Sequence, residues 1–509
     1  MEVKKKVLEA RFIPHIKCAG KGFNDMKTNL KLDEFINNFL KFEEIFKMFE
    51  VKINNVSIWH YLRSIIYNAL IEMEGYQATV CKNIQNKKSN NSLDYLWKKY
   101  ISCNQFLAHK REILIISHGR KYKDNSKYYK CPYTYLLDQY LSNSHYILDG
   151  RTPDGNYELQ RSHNILYYDI EKFNKIKHIQ ISKEPISKLE IDSKVINPIE
   201  TYFERNIGLE VKKKWANDIY GFINTRGYYI YYYRYMLNKI KPKIILIAYA
   251  YGFDRMVLCE VAHKMHIPVV ELQHGTISPE AVEYNFYKKM HLKSFPDYIF
   301  TFGQYEKKSI QFPIPKSHII PTGYPVLENT YKKYKKIKEK KSKINILFIS
   351  QTMIEIAKFA NVVAQKLDVD KYQIIFQLHP FEYSCWKSTI GKYLIHPNIK
   401  VIGSYNHMVY ESLKHADWVV GNYSTVLSEA QMFNVKVAVL KLDMYRAARF
   451  LYQNGYAILV ESPEQLIKEI EEDTFQPNKK ISLFEKNSLH KMQVNINKII
   501  ESKSFLEKK

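Results

Sequence analysis

The chain has 509 residues, 46% of them hydrophobic, and 77 Lys and Arg against 52 Asp and Glu give it a net charge of +25. That length suits two or three domains, each able to bury a core. The charge narrows partners to anionic ones, namely nucleic acid, an acidic membrane surface or phosphorylated substrates, unless the lysines are simply solvated. The six cysteines, Cys18, Cys81, Cys103, Cys131, Cys259 and Cys385, never fall in C-x-x-C spacing, which argues against a zinc site and a disulfide framework. MEVKKKVLEARF at the start has no apolar run behind its basic residues, and IILIAYA at 244–250 is too short to span a bilayer. The expectation is a cytoplasmic protein in a reducing compartment.

Residues 33–49 repeat apolar side chains at a helical period, and a second amphipathic helix is expected from Val56 to Met73. The polar stretch NIQNKKSNNS at 83–92 reads as a linker, so 1–106 form a helical extension. From about 110 short apolar runs alternate with helical segments: EILIISHG at 112–119, HYILDG at 145–150, NILYYD at 164–169, IILIAYA, and PVVEL at 268–272. Strands buried on both faces and separated by helices predict a parallel, doubly wound sheet over 107–330. MVLCEVAHKM at 256–265 is its crossover helix. The eight lysines within 331–343 mark a linker, and a second series of strands and helices, starting at INILFIS, spans 344–485 before a C-terminal helix or tail over 486–509.

Ligands of such sheets bind outside the carboxyl ends of the strands, which selects the polar residues to weigh. In the second sheet these are Thr352 after INILFIS, His379 and Pro380 after YQIIFQL, and the loop GNYSTVLSEA at 421–430. Ser424 and Thr425 stand where strand becomes helix, able to hold a phosphate against the helix dipole or simply to cap. Glu429 reaches ribose hydroxyls or is a surface glutamate, and His379 donates to a phosphate or fills a loop. In the first sheet Asp254 opens the crossover helix and His274 follows PVVEL, flanked by Gln273 and Gly275. On neighbouring strands the carboxylate and imidazole meet as an acid–base pair, unless Asp254 is only a cap. Ser278, Pro279 and Glu280 read as the start of the next helix. The D-x-D at Asp368 and Asp370 precedes its strand, away from the expected site, so no metal is assigned.

Two tandem doubly wound domains, a Q-H-G after a strand in the first, and H-P and Y-S-T loops in the second resemble the GT-B glycosyltransferases of bacterial surface polysaccharide assembly. The nearest groups are capsule synthesis proteins, bacterial sialyltransferases and Kdo transferases, and teichoic-acid-type glycerophosphotransferases. The likeness covers roughly 110–480. It implies an α/β GT-B fold, two Rossmann-like domains facing a cleft, with the helical extension outside it. His379 and Pro380 then match the motif on the donor's phosphate, Ser424 and Thr425 the paired hydroxyls beside it, and Gln273, His274 and Gly275 the motif facing the acceptor. The chain departs from the sialyltransferases in lacking an acidic-acidic-glycine triplet, and from the teichoic group in having Asn422 where an aspartate often stands.

The implied activity is metal-independent and cofactor-free transfer of a sugar from a nucleotide donor to a glycan or lipid-linked glycan of capsule or lipopolysaccharide, at the inner face of the cytoplasmic membrane. Alternatives are a glycerol- or sugar-phosphate transferase, a nucleotide-sugar epimerase, and a nucleic-acid-binding protein. The last would use RGYYIYYYRYMLNKIK at 226–241, whose aromatic and basic residues equally suit a buried helix or an anionic membrane.

Overall fold

The computed structural model describes residues 32–73, 103–119, 121–123, 128–150, 162–181, 185–334, 342–403, 409–478 and 483–506. The expected linker at 83–92 and most of the lysine-rich one lie outside them.

Helix α1 (Leu32–Ile45) buries Phe35, Ile36, Phe39 and Phe42, one stripe of a 3.6-residue repeat. It stops short of the expected 49 because Lys47 turns left-handed, with φ of 48°, and starts a 3-10 turn. Helix α2 (Trp59–Met73) follows, and the apolar residues of both helices join one core with Leu114, Ile116, Ile245 and Ile247 of the first sheet. The extension is thus packed into the first domain.

That domain carries seven parallel strands, β1 (Ile113–Ile116), β2 (His145–Asp149), β3 (Ile165–Tyr167), β4 (Ile244–Ile247), β5 (Val269–Leu272), β6 (Tyr298–Thr301) and β7 (Ile319–Pro321). Their order is β7-β6-β5-β4-β1-β2-β3, reversing direction between β1 and β4, where Ile113 pairs with Ile244. Between β3 and β4 lies α3 (Leu209–Ile240), 32 residues long, of which only about the second half, from 226, was read from the sequence as suiting a helix. Between β4 and β5 runs α4 (Phe253–Lys264), the expected crossover helix.

The second domain has β8 (Ile344–Ile349), β9 (Tyr372–Gln377), β10 (Ile399–Ile402), β11 (Trp418–Gly421), β12 (Lys436–Leu440) and β13 (Ile458–Val460), with α5 (Ile354–Lys366) after β8 and the short α6 (Thr425–Glu429) after β11. Its order β10-β9-β8-β11-β12-β13 is the doubly wound pattern, with its reversal between β8 and β11. A last helix, α7 (Ser488–Leu506), crosses back and packs Met492, Ile496 and Ile499 against Ile113, Ile115, Ile244 and Leu246 of the first sheet. Two doubly wound parallel-sheet domains closed by a returning helix make this a GT-B fold. Among the described residues no helix is long and apolar enough to cross a membrane.

Candidate active site

In the first sheet β4 lies between β1 and β5, so the loops after these three strands meet at and beside the reversal point. Two of them carry the same dipeptide, His118-Gly119 after β1 and His274-Gly275 after β5. Their imidazole centroids are 5.4 Å apart. Tyr249 and Tyr251, from the loop after β4, lie 5.8 and 5.7 Å from the His274 ring, and Tyr249 lies 4.9 Å from His118. The Tyr251 hydroxyl meets His274 Nε2 at 3.1 Å. A Cβ added at Gly119 or Gly275 would find no atom within 4 Å outside its chain neighbours, so there is open space at the glycine that follows each histidine. Tyr133 stands edge-on to both rings, at 5.2 and 6.0 Å, and stacks on Tyr324 at 6.2 Å. Tyr324 belongs to the core of the second domain, so the imidazole pair sits at the domain junction.

Asp254 does not cap α4, and its contacts are to Arg255 and Tyr168. Gly252 is the N-cap of α4 and makes no side-chain cap bond. The Asp254 carboxylate pairs with Arg255 and accepts from the Tyr168 hydroxyl at 3.2 Å. Arg255 is buried and also donates to the Ser117 carbonyl at 3.2 Å and to Tyr168 at 2.9 Å. A cation so enclosed needs an adjacent counter-charge, and Asp254 supplies it. The Gln273 amide likewise faces protein. Its Oε1 accepts from the Phe302 backbone at 2.6 Å, and its Nε2 donates to the Gly275 carbonyl and to Glu306, both at 2.8 Å. Gln273 therefore braces the His274 loop against β6, and burial pushes its partner Glu306 up to about 7.

In the second sheet Thr352, His379 and Ser424 follow the neighbouring strands β8, β9 and β11. Strand spacing puts the His379 and Ser424 loops roughly 10 Å apart across the reversal point. Thr352 has φ of 62°, a left-handed conformation that a β-branched residue adopts only at a cost. His379 caps a 3-10 turn beginning at Pro380, with its Nδ1 accepting from the Phe381 amide at 3.3 Å. A neutral ring then carries its proton on Nε2, as a donor. The Glu382 carboxylate accepts from the His379 amide at 2.7 Å and completes a capping box. Ser424 is the N-cap of α6, accepting from Val426 at 3.3 Å, and Thr425 is that helix's first residue. Asn422 is fully buried and donates to the Asp443 carbonyl, which an aspartate could not do. Glu429 is not a surface residue. It lies buried beside Tyr324 with a hydrogen bond from Tyr410, and burial lifts its carboxyl to about 7. Asp368 and Asp370 sit in the turn before β9, at its amino end.

Direct contacts between the domains include Arg449 with Glu280 at 3.3 Å and Tyr305 with Phe450 at 4.5 Å. The sequence reading passed over His118, Tyr133, Tyr249, Tyr251 and Arg255. His118 bore a visible signal, the His-Gly dipeptide after an apolar strand that had already selected His274.

No family model matches the chain, and no curated protein matches it in sequence. Similar solved structures include Methanocaldococcus jannaschii UDP-GlcNAc 2-epimerase in complex with UDP-GlcNAc and UDP, at 17% identity over 76% of this chain and 99% of that one, TM-score 0.41. S. aureus MnaA with UDP matches at 14% identity over 76% and 96%, TM-score 0.44, and Acinetobacter baumannii MurG at 12% over 78% and 100%, TM-score 0.38. At these values the likeness adds nothing about activity, and the fold class rests on the strand order of the two sheets.

Proposed function

We propose that the chain is a metal-independent glycosyltransferase that moves a sugar from a nucleotide donor to a glycan or lipid-linked glycan. The observation that carries this reading is the pair of imidazoles, His118 and His274, at a domain junction, linked through Tyr133 and Tyr324 to the core of a second doubly wound domain. The second domain takes the donor, with His379 Nε2 and the loop at Ser424 and Thr425 on its phosphates. The first takes the acceptor. Because Asp254 is neutralised by Arg255, one of the two imidazoles is the base. It accepts the hydroxyl proton as the acceptor oxygen bonds the anomeric carbon. The bond from that carbon to the phosphate oxygen breaks, and the nucleotide leaves with the electron pair.

The test is a screen of UDP-, CMP- and GDP-sugars for thermal stabilisation and turnover, with EDTA present in one arm. Turnover that survives EDTA and falls in His379→Ala and Ser424→Ala supports the reading. A phosphodiester in the product would replace it with phosphoglycerol-type transfer, and isomerised donor without acceptor with an epimerase.

Contact with an anionic membrane is part of the same reading. Helix α3 buries Tyr232 and Tyr233, which removes both from any stacking surface for nucleic acid, and leaves Tyr220 and Tyr231 exposed on the side that also shows Lys213 and Arg234. Aromatic rings interleaved with cations suit the interface of an acidic bilayer.

A further inference from the structure

Glu271 is an anomaly in an otherwise aliphatic strand. It lies in the middle of β5 with 0% exposure, where an ionised carboxylate has no water to solvate it. Its partners explain the position. The Tyr284 hydroxyl donates to its Oε1, Oε2 has no hydrogen-bond partner among the described residues, and the backbone amide of Ala250, in the loop after β4, lies beside the carboxyl and favours its charged form. Tyr251, next along that loop, meets the Tyr284 ring edge-on at 5.9 Å and carries the hydroxyl that reaches His274 Nε2 at 3.1 Å. Glu271 thus holds two of the groups that place Tyr251, one through the chain and one through a ring.

The segment bearing Tyr284 is fixed from the other side by the helical extension. Arg63 of α2 donates to the Val282 carbonyl and, at 3.1 Å, to the Asn285 carbonyl. His60 meets Ser294 at 2.7 Å, and Ser64 donates to Glu283. The extension, remote from the strand ends in sequence, bears through this segment on the ring that faces His274.

We propose that Tyr251 is a positioning residue that fixes which nitrogen of His274 carries its proton, and that Glu271 holds Tyr251 in place through Tyr284 and the Ala250 backbone. The inference rests on the reading that the His274 loop belongs to the reacting centre. A histidine locked in one tautomer presents the same nitrogen to every substrate, so loss of the hydroxyl acts on turnover more than on donor binding. The groups around this chain are few. Tyr284, Cys259 of α4, and His60 and Glu283 across a small cavity surround Glu271, while His118, Tyr133 and Tyr249 surround His274. Burial pushes the Glu271 carboxyl up to about 8 against the opposing pull of Tyr284 and the Ala250 amide, so near neutrality the clamp is uncharged.

The experiment compares full-length wild type with Tyr251→Phe, Glu271→Gln, Glu271→Leu and His274→Gln. Each is assayed for turnover of whichever UDP-, CMP- or GDP-sugar stabilises the wild type, across pH 5.5 to 9. Tyr251→Phe is expected to lower kcat about a hundredfold with donor KM retained, and to move the acidic limb of the profile. Glu271→Gln keeps an oxygen that accepts from Tyr284 and is expected to retain most of kcat, where Glu271→Leu loses it. NMR of ring-labelled histidine, with the His274 signal assigned by its loss in His274→Gln, reads the tautomer directly, and Tyr251→Phe should shift it. If His274→Gln is inactive while Tyr251→Phe keeps the wild-type rate, profile and His274 signal, the inference falls and the site reading stands. If His274→Gln turns over at the full rate, the site reading falls and takes the inference with it.

Discussion

Arg63→Met tests whether the helical extension is held by its buried ion pair. The Arg63 side chain is 1% exposed. Its Nε and Nη2 donate to the two oxygens of Glu43 at 2.8 and 2.7 Å, and its remaining bonds go to the Val282 and Asn285 carbonyls. Its guanidinium lies 4.1 Å from the centroid of Phe286. Methionine keeps much of the stem's volume, so the loss is mainly one of charge and hydrogen bonds. Removing one partner of such a pair typically costs about 3–5 kcal/mol, because the other charge stays buried. Burial already raises the Glu43 carboxyl, with Arg63 as the main opposing influence. Without Arg63 its folded-state value rises further above the unfolded one, so Glu43 takes up a proton on folding. The penalty then grows as pH climbs above the unfolded carboxylate range and shrinks in acid. Urea unfolding followed by tryptophan fluorescence should report this, since Trp59 is buried in this core and donates to Glu43 at 2.7 Å. The loss should be larger at pH 8 than at pH 5, and adding Glu43→Gln should recover part of it. A loss below about 1 kcal/mol, or one indifferent to pH, would refute the account of Arg63 as the tie between extension and sheet.

His118→Gln should lower turnover about a hundredfold, the scale of a lost acid–base group, while the stabilisation given by nucleotide stays as in the wild type; thermal shift and steady-state kinetics on one preparation check both. Glu306 has a folded pKa of about 7, above its ordinary value of 4.5, so its contribution to stability falls as pH rises through that window, by roughly 3 kcal/mol in total. Glu306→Gln should flatten that segment of the stability curve in a series of melts. Gly303→Ala places a Cβ onto the backbone carbonyl of Leu483, where neither chain can yield by a rotamer change. It should loosen the segment leading into α7 by about 1–3 kcal/mol, visible as faster proteolytic cleavage near 483–488.

The strands were legible because parallel strands buried on both faces read as unbroken apolar runs, and β4, β5, β8 and β9 all fall within runs named from the sequence. Only about the second half of α3 was anticipated, since Lys212, Lys213 and Lys214 and the glycines at 221 and 227 interrupt its apolar face. The loop positions of His274, His379 and Ser424 followed from the strand-end rule, whereas the partners of Asp254 and Gln273 did not. Arg255 adjoins Asp254 in a helix, where consecutive residues are not expected to face each other, and Glu306 lies 33 residues from Gln273. Glu429 was expected from its spacing to Thr425 to reach ribose hydroxyls or the surface, but Tyr324, which lies beside it in the core, comes from a segment before β8. No local pattern reports contacts of that kind.

The charge of +25 bears on both proposed partners, the nucleotide-sugar and the acidic membrane, and salt separates them. In the second domain several lysines are engaged at the surface, Lys366 with Glu464, Lys436 with Asp473, and Lys441 with Glu461. The loops at Thr352, His379 and Ser424, proposed above for the donor, instead carry a hydroxyl, an imidazole and the first amides of a helix. Binding through neutral donors and short-range dipoles is weakly screened, while attraction of a basic face to an acidic bilayer decays within about 8 Å at physiological ionic strength. Raising salt from about 0.05 to about 0.5 M should therefore abolish sedimentation with phosphatidylserine vesicles, yet change the nucleotide-sugar KM by less than about threefold. A parallel loss of both would mean that lysines hold the donor's phosphates, and the donor site would then have to be sought away from the His379 and Ser424 loops.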